Sequence, residues 1–178
     1  MRSAIFPYGL ALLVGSALLT GCSSPANRVA MTPPAVTVAK QHPYSVQVQA
    51  NGGSETSGAD MTNIANADLK AAIEAAIVQS RLFTSVVQGA DGDYDLNVQI
   101  VSLRRPMIGG TLSVDLEAGW SLVKRSDRSV ALRKVITSSG SATFGDAFAF
   151  VTRLQMAVEA AARDNITQGL RAIAELPL

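Results

Sequence analysis

Apolar and polar side chains alternate in four segments of the chain, and this alternation predicts strands. In the first segment Val46 and Val48 alternate with glutamines. Successive side chains of a strand point to opposite faces, so clean alternation predicts an antiparallel sheet with one face wet or only partly covered. The predicted strands are residues 44–50, 94–103, 112–124 and 130–138. The last three are expected to turn Leu96, Val98, Ile100, Leu112, Val114, Leu116, Ala118, Trp120, Leu122, Val130, Leu132 and Ile136 inward.

Two other segments repeat their apolar side chains with the period of an α-helix. In residues 66–81 the apolar stripe runs from Leu69 to Ile77, and Asn66 is the expected N-cap. Residues 147–176 carry a longer stripe that suits a helix lying across a sheet. The predicted order is therefore β-α-β-β-β-α. It predicts an α+β fold, a two-layer sandwich with an antiparallel or mixed sheet and two helices on one face.

The N-terminus predicts a lipid anchor. Arg2 precedes an apolar run of about 16 residues, which is shorter than the roughly 20 that span a bilayer as a helix, so a secretory signal peptide is expected. The run ends in Leu19, Thr20, Gly21 and Cys22, which resembles the lipobox of bacterial lipoproteins. The resemblance implies cleavage before Cys22, with diacylglycerol on its sulfur and an acyl chain on its nitrogen. A buried cysteine is the alternative, but such a residue is expected inside a domain pattern.

These features predict the organisation of the chain. Residues 1–21 are the expected signal peptide, and residues 22–42 are the lipidated cysteine with a flexible proline-rich tether that lifts the domain off the bilayer. Residues 43–178 form the single expected domain. Ser23 stands where an aspartate often marks inner-membrane retention, so we expect the outer membrane, at its periplasmic face.

Composition and charge exclude several classes of protein. Hydrophobic residues make up 48% of the 178 positions and charged residues 16%, which excludes a disordered charged tail. A single cysteine excludes a disulfide scaffold. Without Arg2 the chain has 14 basic and 14 acidic side chains, so net charge predicts no nucleic-acid partner.

Residues that carry catalysis or bind metals are scarce. His42 is the single histidine and lies at the end of the predicted tether, so no nucleophile–histidine pair or zinc site is expected in the domain. Asp91, Asp93 and Asp95 lack the glycine and glutamate of a calcium loop, which favours an acidic turn. We therefore expect no catalytic residue, no metal and no cofactor beyond the lipid on Cys22.

Two sets of residues are candidates for a partner or lipid surface. Phe144, Phe148 and Phe150 lie within seven residues, and either fix the last helix to the sheet or form an exposed aromatic patch. Arg104 and Arg105 belong to a basic set with Lys124, Arg125, Arg128, Arg133 and Lys134. That set either meets lipid headgroups, lipopolysaccharide phosphates or an acidic partner, or is a solvated sheet edge.

The stretch GDAFAFVTRLQMAVEAAARDNITQGL, residues 145–170, resembles the C-terminal signature of uncharacterised Gram-negative outer-membrane lipoproteins. Arg153, Glu159 and Asn165 match their recurring positions. More broadly, the predicted order is similar to that of lipopolysaccharide-assembly lipoprotein E. In that family the lipoprotein plugs an outer-membrane barrel and contacts lipopolysaccharide, although no residue of that contact is matched here by motif.

Together these observations predict a non-enzymatic accessory or docking subunit of an envelope assembly or transport complex, with an envelope protein as partner. The alternative is a lipid-binding carrier that accepts an acyl chain between helix and sheet. A carrier predicts a cavity lined by Leu116, Trp120, Phe148 and Leu154. An enzyme would need a convergent site containing Asp146, Arg153 or Glu159, which are more simply interpreted as a cap and a solvated helix face.

Overall fold

The computed structural model describes residues 24–38, 40–57, 61–89 and 91–178. The predicted lipobox, Leu19, Thr20, Gly21 and Cys22, lies outside the described residues. The elements in chain order are α1 (Arg28–Met31), β1 (His42–Asn51), α2 (Asn66–Ser80), β2 (Phe83–Val87), β3 (Tyr94–Arg104), β4 (Leu112–Lys124), β5 (Val130–Ala142) and α3 (Phe150–Ala174). None of the helices in these ranges combines the length and the apolar character needed to cross a membrane.

The predicted α+β sandwich is confirmed. Five strands form one mixed sheet in the order β2-β1-β3-β4-β5, in which β1 is parallel to both β2 and β3 and the other neighbours are antiparallel. The helix α2 packs on β1 and β2, α3 packs on β4 and β5, and the two helices also contact each other. The apolar side chains of the sheet are therefore buried on one face only.

The predicted element order missed one strand. Strand β2 has five residues at the sheet edge, and its burial does not alternate cleanly beyond Phe83, so periodicity gave no signal for it. Val130 was predicted to face inward but is 49% exposed. The register between β4 and β5 shifts between Leu122 and Val123, and this irregularity turns the first residues of β5 away from the core.

Trp120 lies in the core, as predicted, and organises the contact between β4 and α3. Its indole Nε1 donates a hydrogen bond to Asn165 Oδ1 at 2.9 Å, and its ring packs so closely on Gly169 that a Cβ there would lie 2.5 Å from it. Asn165 Nδ2 donates in turn to the carbonyl oxygen of Ile136 at 2.9 Å and to Ser138 Oγ at 3.2 Å. One buried amide therefore joins α3 to both β4 and β5.

The predicted helix caps are wrong. Asn66 is the first residue of α2, its Oδ1 accepts from the backbone N–H of Gly53 at 2.8 Å, and the N-cap is Ala65. Asp146 lies before α3 begins and closes a turn instead, accepting from Thr143.

Residues 24–38 were predicted to belong to a flexible tether, but they pack against the helices. Ala26 and Met31 are fully buried in the core cluster. The backbone N–H of Asn27 donates to Glu159 Oε1 at 2.9 Å, and Arg163 donates to the carbonyl oxygen of Ala30 at 2.9 Å. The apolar side chains of this segment thus pack between α2 and α3. The segment is part of the fold and does not act as a free spacer.

Candidate functional site

One end of the sheet carries four exposed, large apolar side chains. Met107 and Ile108, in the β3–β4 loop, are 78% and 86% exposed. Phe144 and Phe148, in the β5–α3 loop, are 56% and 89% exposed. We call these four residues the apolar tip. Side chains of this size are costly to leave in water together, so a concentration of them on two neighbouring loops is a candidate interaction surface.

Arg153 holds the two loops of the apolar tip together. This side chain, the fourth residue of α3, is only 3% exposed. Its guanidinium donates to the carbonyl oxygens of Phe148 at 3.0 Å and of Gly109 at 3.4 Å, and its Cζ lies 3.8 Å from the centre of the Phe144 ring. The prediction of a solvated position for Arg153 is therefore wrong. The guanidinium of Arg153 can be buried because carbonyl groups from both loops replace the water that would otherwise solvate its charge.

A hydrogen-bonded turn presents Phe144. The carboxylate of Asp146 accepts from the backbone N–H and the hydroxyl of Thr143, both at 2.8 Å. These two bonds lower the pKa of Asp146 below its ordinary value, the backbone bond contributing most. The Phe144 ring lies over Gly110, where an added Cβ would be 3.2 Å from it, and 6.1 Å from the Phe148 ring between centres. The exposed rings are thus held in place by the fold.

The structure brings together part of the predicted surface. Phe144 and Phe148 lie side by side, whereas Phe150 is half-buried against the core as the first residue of α3. Arg104 is exposed at the same end of the sheet. Arg105 is engaged instead, because it donates to the carbonyl oxygens of Met61 and Thr62 and to the side chain of Asn63.

Sequence reasoning missed Met107 and Ile108. A signal was present: two large apolar residues stand between Pro106 and a Gly-Gly pair, in a loop between two predicted strands. The basic residues that were predicted to form one surface also do not lie together. Arg104 and Arg105 lie where β3 ends, whereas Lys124, Arg125, Arg128, Arg133 and Lys134 lie on the β4–β5 hairpin, towards the opposite end of the sheet. There Arg125 forms an ion pair with Asp95.

The second face of the sheet carries mainly polar side chains, and Asn97, Gln99, Arg133 and Val135 on it are exposed. We call it the open face. At its centre, Gly119 lies in register between Gln99 of β3 and Val135 of β5. Because Gly119 has no side chain, a depression of about 250 Å³ opens there. Val135 beside it is 58% exposed, and the remaining lining includes Asn97, Ser121, Arg133 and Lys134. We call this depression the Gly119 notch.

The cavity predicted for an acyl carrier is not formed. Leu116, Trp120 and Leu154 are each at most 2% exposed and pack in the core, whereas Phe148 is 89% exposed at the apolar tip. The four side chains therefore do not surround a common space.

The polar residues considered for an enzyme do not converge either. Asp146 binds Thr143, Arg153 binds loop carbonyls, and Glu159 accepts from Asn27 and Gln155. Glu159 is 7% exposed, so its predicted place on a solvated helix face is wrong; the docked N-terminal segment covers it. His42 is buried, with its Nε2 3.0 Å from the carbonyl oxygen of Ile173. In the ranges that the structure describes, no three His, Cys, Asp or Glu side chains come together as metal ligands.

No protein-family model matches the sequence, and a search of curated proteins found no match. Solved structures do share the fold. A DUF330-family protein from Xanthomonas campestris has a TM-score of 0.57 at 17% identity, covering 79% of this chain and 88% of that chain. A hypothetical protein from Chlamydia trachomatis has a TM-score of 0.52 at 10% identity, covering 74% and 94%. A minor lipoprotein from Acinetobacter baumannii has a TM-score of 0.48 at 12% identity, covering 77% and 96%. At identities this low, the first two structures show a common fold alone, and the third likeness is too weak to show even that.

Proposed function

We propose that this chain is a lipid-anchored, non-enzymatic lipoprotein that serves as a docking subunit of an envelope assembly or transport complex, at the periplasmic face of the outer membrane. The lipobox ending in Cys22 supports the anchor, and Ser23 supports the outer membrane. The shared fold with a DUF330-family protein is compatible with this role but does not by itself assign a function.

The observation that carries the docking role is the open face. Leu116, Trp120 and Leu154 pack in the core between α3 and the sheet instead of lining a cavity, so we place binding on an outer surface. The open face offers hydrogen-bonding side chains across several strands, together with the Gly119 notch and the exposed Val135. A protein surface with one protruding side chain and a polar surround complements such a face.

Site-specific photo-crosslinking in cells tests this assignment. A photoreactive side chain at Val135, on the open face, is expected to give a discrete adduct with an envelope protein. Val78 on α2 is the matched control, because it is also a valine and is 62% exposed, but on the opposite layer. Adducts of equal yield from both positions, or none from Val135, would argue against docking through the open face.

Filling the Gly119 notch is expected to weaken the complex without unfolding the protein. A Cβ at Gly119 meets nothing closer than the carbonyl oxygen of Gln99 at 4.0 Å, so Gly119→Phe can begin a side chain here without strain, and we expect its ring to occupy the notch. Loss of a central contact costs about tenfold in affinity. The Val135 adduct should therefore fall by about that factor, while the urea midpoint of the purified protein stays unchanged. A full-strength adduct in a folded Gly119→Phe variant would exclude the notch from the interface.

A further inference from the structure

The first described residue lies at the end of the sheet that carries the apolar tip. The carbonyl oxygen of Ser24 accepts from Thr62 Oγ1 at 2.9 Å. The carbonyl oxygen of Thr62 accepts from Arg105 at 2.8 Å. Arg105 follows the last residue of β3 and precedes, by two and three positions, Met107 and Ile108. Two hydrogen bonds thus connect Ser24 to the base of the β3–β4 loop.

Chain length then limits how far this end of the sheet stands from the anchor. Cys22 is two residues before Ser24. An extended chain covers at most about 3.6 Å per residue, so the lipidated residue can be no more than about 7 Å of chain from Ser24. The packing of residues 24–38 on the helices leaves no longer spacer between the anchor and the fold.

We propose that the apolar tip inserts into the interfacial region of the lipid bilayer, as a second membrane contact beside the acylated Cys22. The proposal rests on the lipid anchor of the proposed function. The same end of the sheet carries both the chain leading to the anchor and the four exposed apolar side chains. A lipid anchor combined with a second apolar contact gives firmer membrane attachment than acyl chains alone, and it fixes the orientation of the domain.

Charge at this end does not select for anionic lipid. Exposed Arg104 lies opposite Asp115 in the β3–β4 pair, and Asp146 lies in the turn that presents Phe144. Charged side chains of both signs therefore lie next to the apolar tip, and neither sign dominates there. Insertion is thus expected to depend on the apolar side chains and to occur on vesicles of zwitterionic lipid.

Insertion of the apolar tip also orients the open face. The strands run from the apolar tip to the β4–β5 hairpin. When the tip is inserted, the strands therefore stand at a steep angle to the membrane plane, with the hairpin farthest from the bilayer. The open face then stands upright, with the Gly119 notch accessible from the side to another envelope protein. Membrane contact and protein docking therefore use different surfaces.

Fluorescence quenching in vesicles tests the insertion. The full-length protein is purified as the lipidated form and reconstituted in phosphatidylcholine vesicles, with Phe148→Cys or Ser126→Cys labelled by an environment-sensitive dye. Cys22 is the single cysteine of the natural chain, and acylation of its sulfur leaves the engineered thiol as the reactive one. Phe148 is 89% exposed, so its replacement leaves the core intact, and Ser126 is an exposed control on the opposite hairpin.

Brominated lipid in the vesicles is expected to quench the dye at position 148 at least threefold more than the dye at position 126, and Ile108→Cys is expected to behave like Phe148→Cys. Equal quenching at the two ends, in protein that floats with the vesicles, would overturn the insertion while leaving the anchor in place. Protein that does not float with the vesicles would instead overturn the anchor, and with it the insertion that depends on it.

Discussion

The Gly140→Ala variant is expected to lose about 3 kcal/mol of its free energy of unfolding, because it forces a methyl group into a close contact between β5 and α3. A Cβ at Gly140 would overlap the carbonyl oxygen of Ala157 and the backbone nitrogen of Ala161, and would lie 2.8 Å from the Cβ of Ala160. Helix backbone cannot turn aside as a flexible side chain does. The backbone of β5 or of α3 therefore has to shift, which weakens the packing of the helix on the sheet.

Urea unfolding monitored by the fluorescence of Trp120, the single tryptophan, measures this loss. Gly119→Ala is the matched control, because it makes the same chemical change on the open face, where the nearest atom is 4.0 Å away. Its urea midpoint should be unchanged or slightly higher, since alanine restricts the unfolded chain more than glycine does. Equal midpoints for the two variants would show that α3 does not lie as close to β5 as described.

The Asn165→Leu variant is expected to lose about 3 kcal/mol as well, for a different reason. Leucine fills a similar volume but has no polar atoms, so it removes the acceptor of the Trp120 Nε1–H and the donor to the carbonyl oxygen of Ile136. Asn165 is 2% exposed, so water does not replace these partners. A buried donor left without an acceptor costs about 1–3 kcal/mol, and the loss of a second bond adds to it.

The same urea experiment checks this prediction, with Gln168→Leu on the same helix as the control. Gln168 is exposed, and its amide reaches Asp164 one turn away, so its replacement should change the free energy of unfolding by no more than about 0.5 kcal/mol. Wild-type stability in Asn165→Leu would mean that the buried amide does not join α3 to the sheet.

Long, regular elements could be predicted because their periodicity is set by one buried face. Strands β3 and β4 show clean alternation, and the core position of Trp120 follows directly from it. Short or irregular elements gave no such signal. Strand β2 is held at the sheet edge by its parallel pairing with β1, a contact between residues about forty positions apart that no local pattern reports.

Charged and polar residues on α3 were the hardest to place. Arg153, Glu159 and Asn165 match the resemblance to envelope lipoproteins, but the sequence predicted a solvated helix face for the first two. All three are buried, and each has partners far away in sequence, such as Asn27 for Glu159. A sequence shows that a charge lies on a helix, but it does not show which loop or terminal segment will cover it.

Only half of the apolar tip could be predicted from the sequence. The phenylalanines were found because they cluster in a segment that is neither strand nor helix, whereas Met107 and Ile108 were missed because the loop that carries them was interpreted only as a chain reversal. Their association with Phe144 and Phe148 depends on Arg153, which binds a carbonyl group from each loop. Such a connection is visible only in three dimensions.

The central claim is the lipid anchor at Cys22, and the intact mass of the protein purified from membranes tests it most directly. We expect a mature chain that begins at Cys22 and carries the added mass of a diacylglycerol and an acyl chain, with the modified fragment mapping to that cysteine. The Cys22→Ala variant should keep its first 21 residues and carry no lipid. A wild-type chain cleaved elsewhere, or with an unmodified Cys22, would contradict the claim.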